Sequence, residues 1–302
     1  MIKNKRKGKY LEMEIPGEWL PATIDSLLRN HWKAPKKLIH SWRMDQDVWL
    51  NGKKPNWNQP LNEQDKLMLP FFADANSDIT PAYMDLGILY EDDHLLVVNK
   101  PAGVETHPSQ PGQTDTLVNG VAFHLMQEGT LCDFTHIHRL DKDTTGALLF
   151  AKHPFAGAIL QRMLDERKIK RTYKALVHGK LKTKQGTITD KIGRDRHHAS
   201  RRRVSPTGQH AVTHYRVLQY FADTNLTLIE CRLETGRTHQ IRVHLSHLGH
   251  PLAGDTLYGG KPVFKRQALH AYRIEFTHPI TEEKMDIHAP YMDEPPIFPV
   301  EY

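Results

Sequence analysis

Apolar residues at intervals of three and four positions predict two short helices near the start of the chain. Thr23 can cap the first helix, and Pro35 can open the second, in which Leu38, Ile39 and Trp42 recur at helical spacing. The segment Val48-Trp-Leu50 is typical of a strand, Asn51-Gly52 is a strong hairpin-turn signal, and the residues from Asp65 to Leu69 read as a returning strand. This order predicts a small α/β domain over residues 1–72.

The periodicity breaks at residues 73–84, which are rich in Asn, Ser, Asp and Pro, so a linker is expected there. Residues 85–302 then carry many strand patterns and few helical ones. Strands are predicted at 86–90, 95–99, 146–151, 173–177, 212–218, 226–233 and 273–276, and helices at 116–127 and 156–167. Regular strand–helix alternation is missing, so the expected fold class is α+β with a large mixed or antiparallel sheet.

Composition adds a bias toward a polyanionic partner. The 302 residues carry a formal charge of +6, and residues 1–72 alone hold 13 Lys and Arg against 8 Asp and Glu. Five of these cations precede Tyr10, so a basic N-terminal tail is expected. A mildly basic soluble protein without such a partner fits the same numbers.

Cysteine usage and hydropathy suggest a reducing, cytoplasmic setting. Cys132 and Cys231 form no CxxC pair, so neither a disulfide framework nor a thiolate zinc site is indicated. No secretion signal is recognisable, and no apolar run approaches the ~20 residues that a membrane span needs.

The most informative stretch is residues 138–146, HRLDKDTTG, which leads directly into the apolar strand pattern of residues 147–150. Several charges converge on one turn at the end of a buried element, an arrangement typical of functional loops. From the residues alone, a surface loop with an ion pair between Arg139 and Asp141 or Asp143 is the preferred interpretation of the segment.

This stretch resembles the HRLD-x-x-TSG signature of the RluA-type pseudouridine synthases, with Thr145 where that family usually has Ser. Four further segments resemble the family's other motifs in the family's order. They are LLVVNKPAGVETHP (95–108), KIKRTYKALV (168–177), LETGRTHQIR (233–242) and LGHPLAGDTLYG (248–259). The helices and turn of residues 1–72 resemble the S4 RNA-binding fold.

The resemblance implies a catalytic role for Asp141, Arg237 and Tyr173. The enzymes of this family detach uracil from C1′ of a uridine and rejoin it through C5, with no net redox change and no cofactor. Asp141 would add to C6 of the base or attack C1′, Arg237 would pair with it and keep it ionised, and Tyr173 would stack on the flipped uracil. Arg237 as a phosphate or Glu234 partner and Tyr173 as a core residue remain open.

The resemblance also implies contacts with RNA outside the reacting centre. Arg139 would help to hold the base in its flipped position, and a mobile arginine-rich loop at residues 194–203 would grip phosphate. The cations expected on RNA are Arg139, Lys36, Lys37, Arg43, Arg201, Arg202 and Arg203. Merely solvated charges are the alternative for the S4-like lysines and for the loop.

Other functions remain open at this stage. The substrate expected first is ribosomal RNA, with transfer RNA as the alternative, and a monomer is expected. A non-catalytic RNA-binding or ribosome-assembly protein of the same fold is a rival, and so is a hydrolase that uses Asp141 and Asp143 with a bound metal. The histidines at 244, 247 and 250 have ligand-like spacing, but Gly249 and Pro251 would interrupt the helix, so no metal site is predicted.

Overall fold

The first 72 residues form a small four-stranded antiparallel sheet with helices packed on it. The computed structural model describes residues 4–72, 79–129 and 133–299. The sheet order is β1-β2-β4-β3. Its elements are β1 (Asn4–Lys7), β2 (Tyr10–Glu14), α1 (Ile24–Ser26) continued by a π-helical turn (Leu27–His31), α2 (Lys36–Met44), β3 (Trp49–Leu50) and β4 (Lys66–Leu69).

The helix starts and the turn predicted in this unit are confirmed. The Ser26 amide donates to Thr23 Oγ1 at 3.1 Å, and Pro35 is the residue that precedes α2. Asn51 and Gly52 have φ angles of 52° and 75°, the left-handed geometry for which an Asn-Gly turn is suited. The sequence therefore specifies these local features through residue types that satisfy helix ends and turns.

The predicted basic tail is wrong for the described residues at the start of the chain. Residues 4–7 form an edge strand that pairs antiparallel with β2, and Lys7 Nζ lies 2.7 Å from Glu12 Oε2. None of the residues of β1 is buried, so no apolar alternation could reveal the strand. Lysines on an edge strand also discourage pairing with another chain.

The larger sheet has ten strands, which come from residues 87–288. Its order is β10-β13-β14-β9-β15-β8-β6-β5, with β16 beside β15 and β7 beside β8. The strands are β5 (Gly87–Glu91), β6 (Leu95–Lys100), β7 (Thr135–His136), β8 (Thr145–Ala151), β9 (Lys170–His178), β10 (Gln185–Ile188), β11 (Ile192–Arg194), β12 (Arg202–Val204), β13 (Thr213–Phe221), β14 (Leu226–Leu233), β15 (Leu269–Thr277) and β16 (Lys284–His288), of which β11 and β12 form a separate hairpin.

The sheet is mixed, as the expected α+β class requires. The pairing of β15 with β8 is parallel, and the other pairings among its described strands are antiparallel. The helices are α3 (Leu117–Gln127), α4 (Pro154–Asp165) and α5 (Gln240–His247), followed by a 3-10 turn at Thr256–Tyr258. No helix in the described ranges is long and apolar enough to cross a membrane.

The two sheets share one apolar core. Phe155 of α4 stacks on Phe71 with ring centroids 4.4 Å apart, and Trp42 of α2 stacks on Phe155 at 5.6 Å. Trp32 meets the same phenylalanine edge-on. The N-terminal unit is therefore packed onto the larger one through aromatic contacts rather than merely tethered to it.

Part of the predicted linker lies against α3. Residues 73–78 of the linker lie outside the described residues. The Ala82 amide donates to the Asn119 carbonyl at 3.1 Å, and Asn119 Nδ2 donates to the Thr80 carbonyl at 2.7 Å. The described part of this segment is thus held by hydrogen bonds to the helix.

The arginine-rich segment is a hairpin connection and not a free loop. β11 and β12 pair antiparallel, with Ile192 opposite Val204 and Arg194 opposite Arg202. The Asp195 amide donates to the Arg201 carbonyl at 3.1 Å and closes the base of the turn. Residues 195–201 form a loop, as expected, whereas the two ends of the predicted segment, Arg194 and residues 202–203, belong to strands.

Candidate active site

Asp141 lies in the connection between β7 and β8, and backbone contacts hold this connection from several sides. The Thr144 amide donates to the Asp141 carbonyl at 3.0 Å, which closes a turn directly after the carboxylate. Buried Thr106 accepts the Leu140 amide at 3.2 Å and donates to the Leu140 carbonyl at 2.9 Å. The carboxylate therefore projects from a fixed backbone.

Lys100 stabilises the same turn through hydrogen bonds from its side chain to backbone carbonyls. Its side chain is fully buried, and Nζ donates to the carbonyls of Pro101, Val104 and Lys142 at 2.7, 2.7 and 2.8 Å. Burial lowers the pKa of Lys100 to about 7. The ammonium form satisfies all three carbonyls at once, so it ties the end of β6 to the residue that follows Asp141.

The guanidinium beside Asp141 belongs to Arg242, and the predicted pairing with Arg237 is wrong. Arg242 Nη1 lies 3.2 Å from Asp141 Oδ2, while its Nε and Nη2 donate to both oxygens of Asp255 at 2.7 and 2.9 Å. Arg237 is exposed, and its Nε donates to the His210 carbonyl at 2.9 Å. Arg242 is buried and clamped by Asp255, so it presents its remaining donor to Asp141 in a fixed orientation.

Helix α5 explains why Arg242 and not Arg237 reaches the carboxylate. The helix begins at Gln240, whose Oε1 accepts the Arg237 amide at 3.0 Å, so Arg237 lies in the turn before the helix. Arg242 lies in the first helical turn and faces inward. Both arginines belong to the stretch LETGRTHQIR. Which of them reaches Asp141 depends on where the helix begins.

His239 and Tyr258 complete the surroundings of Asp141. His239 precedes α5 with a left-handed φ of 57°, and its Nε2 lies 3.9 Å from Asp141 Oδ1. Its Nδ1 lies 2.8 Å from the Tyr258 hydroxyl, which also accepts the Arg202 amide at 2.9 Å. Burial lowers the pKa of His239, so the imidazole beside Asp141 is favoured in its neutral form. The Tyr258 hydroxyl thus links the β11–β12 hairpin to this histidine.

Tyr173 forms a wall of the same cavity. It is 4% exposed on β9, and burial, together with the nearby Asp141 carboxylate, raises the pKa of its hydroxyl. The cavity has a volume of about 520 Å³, and Arg139, Asp141, Tyr173 and Arg237 all line it. A cavity of this size with a few convergent polar groups is typical of a small-molecule or nucleotide site.

The other predicted RNA contacts lie away from this cavity or at its edge. Lys36 and Lys37 are exposed on α2, whereas Arg43 pairs with Asp25 at 2.5 Å and lies over the Trp57 ring. Among the hairpin arginines, Arg201 lies 3.8 Å from Asp195 and over the Tyr258 ring, Arg203 is exposed, and Arg202 contacts Tyr258 through its backbone. These are surface cations, and the residues that contact Asp141 do not include them.

Two of the three histidines with metal-like spacing bind separate groups of the protein, and the third, His247, is exposed. His244 uses Nδ1 toward Thr213 Oγ1 and Nε2 toward the Asp190 carbonyl, while His250 Nδ1 contacts the His178 carbonyl. Within the described ranges, Glu91, His124 and Glu128 form a group with converging ligand atoms. Lys152 Nζ lies 2.8 Å from Glu91 and 3.5 Å from Glu128, so a protein cation already balances these acids.

The fold and the site define a class of RNA-modifying enzymes, and sequence comparison agrees. The profile of the family described as RNA pseudouridylate synthase matches residues 94–247. The profile of the RluD ribosomal pseudouridine synthase N-terminal domain matches residues 11–67. The chain belongs to the RNA pseudouridylate synthase family and is an isomerase that acts on RNA.

Individual relatives match between 68% and 95% of the chain. An uncharacterized RNA pseudouridine synthase of Bacillus subtilis, YhcT, is 47% identical over 95% of this chain and 95% of its own. Ribosomal large subunit pseudouridine synthase D of Vibrio cholerae is 44% identical over 70% of this chain and 69% of its own. The solved structure of human RNA pseudouridylate synthase domain containing 1 has a TM-score of 0.56 at 29% identity, over 68% of this chain and 84% of that one.

Proposed function

We propose that this chain converts uridine to pseudouridine in large-subunit ribosomal RNA, with Asp141 as the catalytic carboxylate. The observation that carries the assignment is the clamp of Asp255, Arg242 and Asp141, which aims one carboxylate into the cavity lined by Tyr173. Relatives that match 85% and 96% of the chain, and so cover both of its units, carry the name ribosomal large subunit pseudouridine synthase D. Their name supports the choice of ribosomal RNA as substrate.

The clamp suits a nucleophile that must stay ionised. Arg242 donates to Asp141 and holds it in one orientation, because its other donors are committed to buried Asp255. The carboxylate either adds to C6 of uracil or attacks C1′ of the ribose. In both routes the N1–C1′ bond breaks, a C5–C1′ bond forms, C5 loses its proton, and N1 gains one. Composition and oxidation state are unchanged, so the chemistry requires no cofactor and no metal.

The target base must leave its stack to reach Asp141. Arg139 is exposed, lies two residues before Asp141 and lines the same cavity, so it is placed to occupy the space that the base vacates. Tyr173 offers a ring for stacking inside the cavity. Unstacking costs a few kcal/mol, which contacts between the RNA backbone and surface cations must offset.

The N-terminal unit would supply part of that contact. Lys36 and Lys37 on α2 are exposed, and Arg203 is exposed on the β11–β12 hairpin. Cations of this kind bind phosphates without reading sequence. Arg43 is the weakest candidate, since Asp25 already pairs with it. Arg139, Asp141 and Tyr173 of a single chain already line one cavity, and we propose that the protein acts as a monomer.

The assignment is tested by mapping pseudouridine in separate pools of unmodified ribosomal and transfer RNA. The purified protein, Asp141→Asn and Asp141→Ala are incubated with each pool, and modified positions are read as carbodiimide-dependent reverse-transcription stops. We expect defined sites in large-subunit RNA with the native protein and none with either variant.

Each alternative has a distinct outcome. Sites confined to the transfer RNA pool would replace ribosomal RNA as the substrate and leave the chemistry intact. Modification by Asp141→Ala would overturn the role of this carboxylate. RNA binding without modification in any pool would favour a non-catalytic binding protein.

A further inference from the structure

A buried guanidinium in the cavity has no counter-charge. Arg171 lies on β9 with 7% of its surface exposed, and it lines the cavity that holds Asp141. Its buried Nε has no hydrogen-bond partner, and the structure gives Arg171 no ion pair with any described residue. Burying an unpaired charge is costly, and such a charge in a functional cavity indicates a site for an anionic or strongly polar ligand.

Three acids line the cavity, namely Asp141, Asp165 and Glu234, and no ion pair among the described residues joins any of them to Arg171. Exposed Asp165 accepts a hydrogen bond from Gln161 Nε2 at 3.4 Å. Asp141 contacts Arg242 at 3.2 Å. Glu234 contacts Arg167 at 2.5 Å and His214 at 2.7 Å. The charge of Arg171 is therefore available to a ligand.

His138 adds a second unpaired donor in the same cavity. Its Nε2 accepts the Leu149 amide at 3.3 Å, so the proton of the neutral ring is on Nδ1. Burial lowers the pKa of His138 to about 3, with Arg171 as the next cause, which keeps the ring neutral and shows that the two groups interact. Nδ1 is buried and has no acceptor within the described residues. Two buried donors without acceptors in the described residues thus lie in the wall of one cavity.

We infer that Arg171, assisted by His138 Nδ1–H, binds a carbonyl oxygen of the target uracil and stabilises the negative charge that forms there during isomerisation. This inference rests on the proposed function. Arg171 and His138 recognise the pyrimidine-dione base, whereas Asp141 is the carboxylate that reacts with it.

The position on β9 favours the base over a backbone phosphate. Residues 171 and 173 lie on the same face of the strand, so the guanidinium lies beside the Tyr173 ring proposed to stack on uracil. A Cβ built on Gly236 would lie 3.1 Å from Arg171 Nη1, so backbone covers the guanidinium on that side. A phosphate on the RNA strand would stay nearer the mouth of the cavity, where Arg139 and Arg237 are exposed.

The same donor serves both routes to pseudouridine. If Asp141 attacks C1′, the electron pair of the broken N1–C1′ bond stays on the base and is delocalised onto O2 and O4. If Asp141 adds to C6, the electron pair of the C5–C6 double bond moves into an enolate at O4. In each case the charge disappears when C5 joins C1′, C5 loses its proton and N1 gains one. Fixed donors aimed at such an oxygen typically increase the rate by ~10²–10³-fold.

The test compares Arg171→Met and Arg171→Lys with the native protein. Methionine keeps an unbranched apolar stem and removes the charge, while lysine keeps the charge and loses the forked geometry. Single-turnover rate constants are measured with saturating enzyme on the RNA mapped above, together with the dissociation constant and the melting temperature. Arg273→Met, on neighbouring β15, is the matched control. Arg273 already pairs with Asp286 of β16, so its substitution removes an arginine that has a counter-charge.

We expect Arg171→Met to slow the saturated rate by ~10²–10³-fold, to change RNA affinity by less than ~3-fold, and to melt no lower than the native protein. Arg171→Lys should recover part of the rate, and Arg273→Met should keep it. A structural role predicts instead a lower melting temperature for Arg171→Met, and that result would overturn the inference.

Two other outcomes also contradict it. A phosphate contact predicts weaker binding, a shallower dependence of affinity on salt, and an unchanged saturated rate. An unchanged rate and affinity would mean that Arg171 contacts no substrate. If the native protein forms no pseudouridine in any RNA, the proposed function itself is refuted. This result differs from those that refute only the role of Arg171, in which the native protein is active.

Discussion

At the residue scale, the candidate active site contains one arginine, Arg242, that binds two carboxylates, Asp141 and Asp255. Asp255 is 1% exposed and receives two hydrogen bonds from Arg242, and Asp141 receives the third. Sequence motifs located the Asp141 loop and Tyr173 correctly within one cavity, but the choice between Arg237 and Arg242 depended on where α5 begins. A guanidinium partner for a carboxylate can be anticipated from residue types, whereas its identity requires the tertiary fold.

Replacing Arg242 by Met should cost both stability and activity. Removing it leaves Asp255 buried without a partner, a change that typically destabilises by about 3–5 kcal/mol. The free energy of unfolding is measured by urea titration, with Arg237→Met as the comparison. Because Arg237 is exposed, its substitution should change that free energy by less than ~1 kcal/mol. Equal stability of the two variants would argue against the clamp.

At the element scale, the strands with apolar alternation and the helices with clear caps were predictable, and their bounds agree within a few residues. β14 was expected at 226–233 and is observed at Leu226–Leu233. β1 was missed because its sequence is polar, and α5 was missed because its apolar residues do not follow a helical spacing. β1 has no buried residue. In α5 the buried apolar residues Ile241, Val243 and Leu245 recur at every second position, between buried Gln240, Arg242 and His244, a spacing typical of a strand and not of a helix. Periodicity detects burial of apolar side chains and no other kind.

Phe155→Ala should destabilise the N-terminal unit and the larger unit together. The Phe155 ring contacts Trp32, Trp42 and Phe71, so its removal opens a cavity where the two units meet. Large-to-small changes of this kind cost about 3–5 kcal/mol. Calorimetry should show one cooperative transition at a lower temperature for the variant. Two separated transitions in the native protein would contradict a shared core.

At the scale of the whole molecule, several buried histidines make the fold sensitive to acid. Burial lowers the pKa of His94 and His270 to about 4, and that of buried His153 falls as well. His94 and His153 contact Phe71 and Phe72 of the N-terminal unit, so part of this sensitivity lies where the units meet. The 20 histidines invite a metal hypothesis, which the sequence does not favour, but composition alone does not reveal which of them are buried.

The stability of the chain should fall as pH decreases from about 6.5 to 4. Below pH 6.5 the unfolded histidines bind protons, while the folded ones with lowered pKa values remain neutral, so the unfolded state binds more protons and stability is lost. Above pH 6.5 these histidines are neutral in both the folded and the unfolded state, so this loss of stability is absent. Urea midpoints measured at half-unit steps should decline across this window, and a His94→Phe variant should decline less steeply. A flat profile would refute the assignment of neutral buried rings.

The most direct test of the central claim is the release of tritium from C5 of uridine in large-subunit ribosomal RNA. Formation of the C5–C1′ bond expels the hydrogen at C5, so each turnover releases one label into water. The account predicts steady release by the native protein in metal-free buffer and none by Asp141→Asn, which keeps the size and shape of the side chain and removes its charge. Release by Asp141→Asn at the native rate would contradict it.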